Sequence, residues 1–563
     1  MYYPEVRYDI DYDRSRQRWN GWGAEDQDLI LQDRLPRIFD FLAKELGVSP
    51  LPETPSVALE EIRLPESRLV QRDIRELEKI VGQANVKTDH RERVLHSFGQ
   101  SFADIIRLRT NMARAFTDAV VYPGDERELT RILELCTRRK IATIAFGGGS
   151  SVVGGLEALC HSSHSGVVTI DLFRLSGLIE LNEEARCATF HAGTYGPVLE
   201  RELNARGYTL GHFPQSFEYS TIGGWVAARS AGQQSNRYGK IEKILTSLRM
   251  VTPAGLMETL RVPAAATGPD WNQIVAGSEG LLGIITRVTV KVHRLPEARC
   301  YFALVFPDFE KARGFLKSAT GAGHGLSMIR LSDSTETRLY ETLASLAHSG
   351  LSGAAKAALQ ASVLRVFGQP AGQRCLVTAG FDGDRDRIDR ESISLRSLMR
   401  RFDGFYAGQR AGENWLRTRF NMPFLRNHVV ERGIGIDTME TATTYDRVES
   451  LHEAVLSEVA RVAGPSTVMC HLSHSYHEGA CLYFTVIYLM DQRDPLAQWR
   501  RIKSAASEAI VANGGNISHH HGVGLDHKPY YERQTGELAL SGLRAMKREL
   551  DPRGILNPSK LFG

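Results

Sequence analysis

The stretch AFGGGSSVVGGLEA, starting at Ala145, constrains this chain more than any other. It packs five glycines into fourteen residues, directly after the β-branched run Ile141–Ile144. Glycines at the end of a strand let backbone amides approach an anion closely. The preceding segment, AVVYPGDERELTRILELCTRRKIATIAFGGG, reads as strand, Pro-Gly break, helix, strand and glycine loop. Leu129, Ile132, Leu133 and Cys136 form the apolar stripe of that helix, so the whole is an α/β unit. Two common nucleotide loops do not fit. A GxGxxG fingerprint would need glycine where Val152 stands. The stretch GQQSNRYGK has six residues between its glycines, where a P-loop has four, and Ile241 replaces the magnesium-binding hydroxyl.

A chain of 563 residues exceeds one ordinary core and implies two to four domains. The formal net charge of +3 is too small to argue for nucleic acid. Seven cysteines without a CxxC pair read as reduced, mostly buried thiols. No apolar run reaches the roughly 18 residues of a membrane span. The charged, aromatic segment MYYPEVRYDIDYDRSRQRW is not a signal peptide. Ser559-Lys560-Leu561 is followed by Phe562 and Gly563, so no peroxisomal address is read there. The expected location is cytoplasmic, with membrane association as the alternative.

Composition shifts divide the chain into four parts. Residues 1–110 read as a helical region, in which Leu35, Ile38, Phe39 and Leu42 fall at helical spacing and Gly47 stops the helix. Residues 111–296 hold the glycine loops and end at the turn RLPE (Arg294–Glu297). Residues 297–505 alternate strands such as CYFALVF, QRCLVTAGF and ACLYFTVIYL with amphipathic helices. Residues 506–563 are helical around the loop SHHHGV. The fold class is α+β.

Two more glycine-bearing loops follow the first: PQSFEYSTIGGWVAARSAGQQSNRYGKIEKI (Pro214–Ile244) and GPDWNQIVAGSEGLLGIIT (Gly268–Thr286). Three such loops in this order resemble the PCMH-type FAD-binding domain of the vanillyl-alcohol oxidase superfamily. The resemblance implies FAD held by backbone amides, with an α+β cap domain following and helical segments on either side. The residues it assigns to the cofactor are Phe146, Gly147, Gly148, Gly149, Ser150 and Ser151 in the first loop. In the second they are Pro214, Ser220, Thr221, Gly223 and Gly224, and in the third Gly277, Ser278, Glu279, Gly280, Gly283 and Ile284. Neither FGGGSSVVGG nor PQSFEYSTIGG contains a histidine or cysteine, so non-covalent FAD is expected; His161 and His164 lie further along.

Within that superfamily, RWNGWG (Arg18–Gly23), GHFPQSFEYSTIGGW, HLSHSYHEGACLYFT and NGGNISHHHGVG are similar to the alkyldihydroxyacetonephosphate synthase family. The similarity runs from about Arg18 to Leu561 and is lower over 300–420. It implies exchange of the acyl chain of acyl-dihydroxyacetone phosphate for a long-chain alcohol, with flavin as an electrophilic trap and no net redox. It also implies a homodimer and peripheral membrane contact, for which the stretches LRSLMRRF and RIFDFLAKEL are candidate surfaces. Tyr483, in the context G-A-C-x-Y-F, is the implied base. Alternation puts Cys481, Tyr483 and Thr485 on one face of its strand. A phenol with a pKa near 10 needs help to act as a base, and His519, His520 and His521 are the candidates. Arg426 and Arg330 match the family's active-site arginines and suit a phosphate; His212 is placed near the substrate. Three adjacent loop histidines seldom converge on one ion, and the related 2-hydroxyacid dehydrogenases carry E-H-G-I-G here, so no metal is expected. The competing reading is an FAD-linked oxidoreductase of a 2-hydroxy acid or other alcohol. A non-catalytic flavin-binding partner is a further one, which the Tyr483, Arg426 and histidine-loop set opposes.

Overall fold

The computed structural model describes residues 6–10, 12–30, 34–346 and 372–563. The α/β unit forms where the sequence places it. Strands β1 (Val86–Lys87), β2 (Ala119–Val121), β3 (Ile141–Phe146) and β4 (Gly166–Asp171) make a sheet in the order β1-β2-β4-β3. β4 is parallel to β2 and to β3. The helix Glu126–Arg139 links β2 to β3. Asp125 caps it by accepting from the Glu128 amide, glutamates occupy its first turn and arginines its last, so the termini match the helix dipole. Its stripe of Leu129, Ile132, Leu133 and Cys136 is fully buried.

A second sheet is built from β5 (Leu178–Asn182), β6 (Cys187–His191), β8 (Leu245–Thr252), β9 (Gly255–Glu258) and β10 (Ile284–Lys291), in the order β5-β6-β10-β8-β9. A ribbon of β7 (Tyr208–Thr209) and β11 (His293–Arg294) closes this part. The cap is one antiparallel sheet of seven strands, ordered β15-β12-β14-β13-β17-β18-β16. They are β12 (Ala298–Phe306), β13 (Met328–Ser332), β14 (Cys375–Gly383), β15 (Phe405–Gly408), β16 (Ile434–Thr444), β17 (Ser466–Ser475) and β18 (Gly479–Leu489). Helices cover one face; Leu482, Phe484 and Val486 of β18 point into that core. The other face of β13, β17, β18 and β16 looks toward the glycine loops.

The flanking segments differ from the four-part reading. Residues up to 110 are not a unit of their own. The helix Gln71–Val81 buries Leu77 and Val81 in the glycine-loop domain. The helix Phe102–Arg109 buries Phe102, Ala103 and Ile106 in the cap core. At the other end, residues 555–557 run beside β3. The Thr143 amide donates to the Ile555 carbonyl (2.7 Å), and the Asn557 amide to the Thr143 carbonyl (2.9 Å). β3 is an edge strand, and an unpaired edge exposes its backbone groups, so this segment satisfies it. The stretch LRSLMRRF is also not an outer apolar surface, because Leu395 and Met399 sit in the cap core. No helix among the described residues is long and apolar enough to cross a membrane.

Candidate active site

Where β3 ends, the chain turns through Gly147–Gly149, with Gly149 at φ +72°. The turn has no room for side chains: a Cβ on Gly147 would meet the Thr221 hydroxyl, and one on Gly148 the Tyr219 carbonyl. The first loop is thus seated against the second. Thr221 caps the helix Ile222–Ala228, its hydroxyl accepting from the Gly224 amide at 3.3 Å. Among the described residues, the amides of Gly148, Gly149, Ser150 and Ser151 have no protein acceptor. Free amides around a concave glycine turn form an anion cradle, which fits a diphosphate without lysine or metal.

This cradle opens into a cavity of about 470 Å³. It is lined by Phe146–Ser151, Pro214, Ser220, Thr221, Gly223 and Gly224, and by Glu279, Gly280, Gly283 and Ile284 of the third loop. Gly277 and Ser278 do not line it. They form the turn behind, where the Gly277 amide donates to the Val226 carbonyl (2.9 Å). Glu279, at φ +51°, has a second role. Its carboxylate accepts from the Val523 amide (2.5 Å) and the Gly524 amide (2.8 Å), tying the histidine loop to the glycine loops. His212 is the clear exception among the expected site residues. It is fully buried, its Nε2 is 2.9 Å from the Ser230 hydroxyl, and it packs on Trp225. Ser230, not His212, reaches the cavity.

The opposite wall is the cap sheet. Strand register sets Glu440 beside Tyr483 and Tyr483 beside His471, so three strands present these side chains in one row on one face. The Tyr483 ring stacks on His471, with centroids 4.8 Å apart and planes 19° apart. The His521 ring stands edge-on to it at 5.4 Å, and the His520 ring lies 5.9 Å away. Burial pushes the Tyr483 phenol well up; the Thr438 hydroxyl partly offsets this, while Glu440 and Asp437 push it further. Burial likewise holds His519, His520 and His521 below the usual histidine value, so they are neutral at pH 7.

The two arginines differ in a way the sequence did not reveal. Arg330 on β13 donates to Glu336 (2.9 Å) and to the Tyr340 hydroxyl (3.1 Å), and its guanidinium is 3.1 Å from His471 Nδ1. Its charge is matched by a buried carboxylate. Arg426 lies on the helix Met422–Val429 and donates to the backbone oxygen (2.8 Å) and side-chain oxygen (3.0 Å) of Gln100, both neutral. Burial lowers its pKa, with Asp437, Asp104 and Tyr483 opposing that shift. Arg426 is therefore the cavity cation whose charge its hydrogen-bond partners leave unneutralised.

Beyond these groups the cavity turns apolar. Ile38, Phe41 and Leu42 of the helix Leu35–Glu45 line this arm with Leu339 and Leu343 of the helix Ser334–Leu346, Leu425, Met469 and Ile487. The stretch RIFDFLAKEL thus turns its apolar stripe inward. Within the described residues, His474, Cys481, His519 and His520 bring one nitrogen or sulfur each within 4.8 Å of one another. Some of these imidazole nitrogens have partners: His474 Nε2 lies 3.1 Å from the Gly232 carbonyl, and the Nδ1 atoms of His519 and His520 are 2.9 Å apart. The Lys240 ammonium donates to the His519 carbonyl at 2.6 Å, adding positive charge beside the group. His161 and His164 stack on each other away from the cavity.

An amide cradle, two interlocked glycine loops and a cap sheet carrying a tyrosine and histidines define an FAD-linked flavoprotein. Residues 117–261 match the FAD binding domain family, and residues 295–561 match the C-terminal domain of FAD linked oxidases. The chain belongs to the alkyldihydroxyacetonephosphate synthase family. It is 31% identical to the alkyldihydroxyacetonephosphate synthase of Trypanosoma brucei brucei, over 97% of this chain and 92% of that one. To the Dictyostelium discoideum synthase it is 30% identical, over 100% and 95%. A solved alkyldihydroxyacetonephosphate synthase structure superposes with a TM-score of 0.84 at 29% identity, covering 97% of this chain and 99% of that one. p-Cresol methylhydroxylase with substrate bound shares the fold, with a TM-score of 0.65 at 14% identity. An uncharacterized FAD-linked oxidoreductase of Escherichia coli is a more distant relative, at 26% identity over 86% of this chain.

Proposed function

We propose that this protein replaces the acyl chain of an acyl-dihydroxyacetone phosphate by a long-chain alcohol, forming an ether without net redox. The observation that carries the reading is the continuity of one cavity, from the amide cradle, past Tyr483 and Arg426, into an apolar arm. FAD, when bound, supplies the electrophilic centre that holds the carbon skeleton between loss of one chain and arrival of the other. The chain's own residues do the rest. The Arg426 guanidinium takes the phosphate, which holds the ester-bearing carbon beside the phenol. Tyr483 accepts a proton from that carbon, helped by the neighbouring imidazoles, and Arg426 stabilises the enediolate charge that develops. Arg330 acts less directly: with Glu336 it holds His471 under the Tyr483 ring. The bond from carbon to the carboxylate oxygen breaks, the bond to the alcohol oxygen forms, and the alcohol proton balances the departing fatty acid.

The apolar arm supports a long-chain alcohol as the second substrate. Substrates of this kind reside in bilayers, so peripheral membrane contact belongs to the same reading. Flotation with liposomes at low salt tests it: a protein that stays at the bottom of the gradient has no such contact. The reaction is tested with labelled hexadecanol and palmitoyl-dihydroxyacetone phosphate under anaerobic conditions. Labelled ether product with the flavin spectrum ending oxidised supports the exchange. No ether, together with flavin bleaching by a 2-hydroxy acid, assigns the protein to the oxidoreductases instead.

A further inference from the structure

We propose that Glu440 is the positioning residue of this centre: it clamps the histidine loop beside Tyr483 and supplies the fixed negative charge that lets a loop histidine carry the displaced proton. The inference rests on the transferase reading above. Glu440 is fully buried on β16, directly across from Tyr483 on β18. One carboxylate oxygen accepts from the Ser518 hydroxyl (2.6 Å), the His520 amide (3.1 Å) and the His521 amide (2.9 Å). The other accepts from the His519 amide at 2.6 Å. With donors on both oxygens, the carboxylate form is the one these partners favour. The loop is thus hung by its backbone from one side chain, which fixes where its three imidazoles stand.

The charge matters as much as the tether. The Glu440 oxygens lie 3.5 Å from His520 Nδ1 and 3.8 Å from His521 Nδ1. An anion there disfavours a phenolate on the neighbouring strand and favours an imidazolium in the loop. The proton step then balances as follows. The C–H bond of the substrate breaks, its electrons remain as the enediolate, and its proton joins the phenol oxygen. The phenol's own proton passes to a loop nitrogen, so tyrosine ends neutral and histidine ends charged. Other charged and titratable groups narrow the choice of nitrogen. Lys240 at the His519 carbonyl opposes protonation on that side, where His474, Cys481 and Tyr476 also pack. Lys503 and Asp437 act on His521 with opposite signs. His520 and His521 are the two whose protonation Glu440 favours most among their charged neighbours.

The test uses FAD-loaded Glu440→Gln, Glu440→Asp and Ser518→Ala, with kcat and KM for palmitoyl-dihydroxyacetone phosphate followed from about pH 5 to 9. Glu440→Gln should lose about 100-fold or more in kcat with KM within about 3-fold, and its acid limb should move to lower pH. Glu440→Asp keeps the charge and should recover at least about 10-fold of that loss. Ser518→Ala removes one loop bond and should lose no more than about 5-fold, with its acid limb in place. If Glu440→Gln fails to hold FAD, the contrast between Glu440→Asp and Ser518→Ala decides. Near-wild-type kcat in Glu440→Gln overturns the proposal. So does a loss in Ser518→Ala as large as in Glu440→Gln, because Glu440 would then be a tether alone. Absence of ether product with the wild type would instead refute the transferase reading itself.

Discussion

Replacing Tyr483 by phenylalanine removes one oxygen from the centre of the site and almost nothing else. The ring contacts survive: the stack on His471 at 4.8 Å and the packing on His520 and His521 at 5.9 and 5.4 Å use carbon and nitrogen faces that phenylalanine retains. The lost bond is the one to the Thr438 hydroxyl, so folding stability should change by about 1 kcal/mol or less. FAD binding should be unaltered, because the glycine loops lie across the cavity from β18. Turnover is another matter. A positioned base contributes about 10² to 10⁴ in rate, and at about 1.4 kcal/mol per decade that is roughly 3 to 5.5 kcal/mol of barrier. Stability and catalysis should therefore separate by several kcal/mol in one variant. The assay is incorporation of labelled hexadecanol, with flavin absorbance and a urea melt on the same sample. A Tyr483→Phe protein that turns over within about 3-fold of wild type would remove the phenol from the mechanism.

Four further outcomes follow from the geometry. Arg426→Met should raise KM for the phosphate-bearing substrate by about 10- to 100-fold, the loss of one or two charge-assisted hydrogen bonds, whereas an unchanged KM would show that the phosphate sits elsewhere. His212, His474 and His527 are buried neutral, with burial the main cause, and titrate at about 3, about 4 and about 3. Because the unfolded chain binds these protons first, near pH 6.5, stability to urea should fall as pH drops from about 6.5 toward 4, by at most about 1.4 kcal/mol per pH unit for each histidine; a flat profile would contradict their burial. Acid precipitation should release all yellow colour to the supernatant, since His161 and His164 face away from the cavity. Elemental analysis should find no stoichiometric zinc, iron or manganese, and activity that chelators abolish would show instead that the His474–His519–His520 group holds an ion.

The parts legible in the sequence were those whose physics is local. Gly147–Gly149 and Gly223–Gly224 announce a close backbone approach because no other residue allows one, and the Leu129–Cys136 stripe follows from helical spacing alone. Tyr483 could be placed on a strand face by alternation. What the sequence hid depends on distant pairs. Arg330 and Arg426 look alike until Glu336 and Gln100 are seen beside them. The Leu35–Glu45 stripe is apolar whether it meets a bilayer or, as here, the helix Ser334–Leu346 across a cavity. Glu440 left one signal: it is an acid at an inward, even-numbered position of IGIDTMETATT, where Ile436 and Thr438 also face the cavity. His212 rests on resemblance alone, and resemblance does not say whether the ring points to the cavity or, as here, behind Ser230.

The pairing of residues 555–557 with β3 has a consequence for biosynthesis. The strand that leads into the first glycine loop is completed by a segment made some four hundred residues later, the Thr143–Ile555 bond spanning 412 positions. A ribosome releasing this chain would leave one edge of that sheet bare throughout translation of the cap. Domains otherwise tend to fold in order of emergence. Here the nascent cofactor lobe has to wait, so productive FAD capture should follow emergence of residues 555–557, and its rate should carry the cost of very long-range closure.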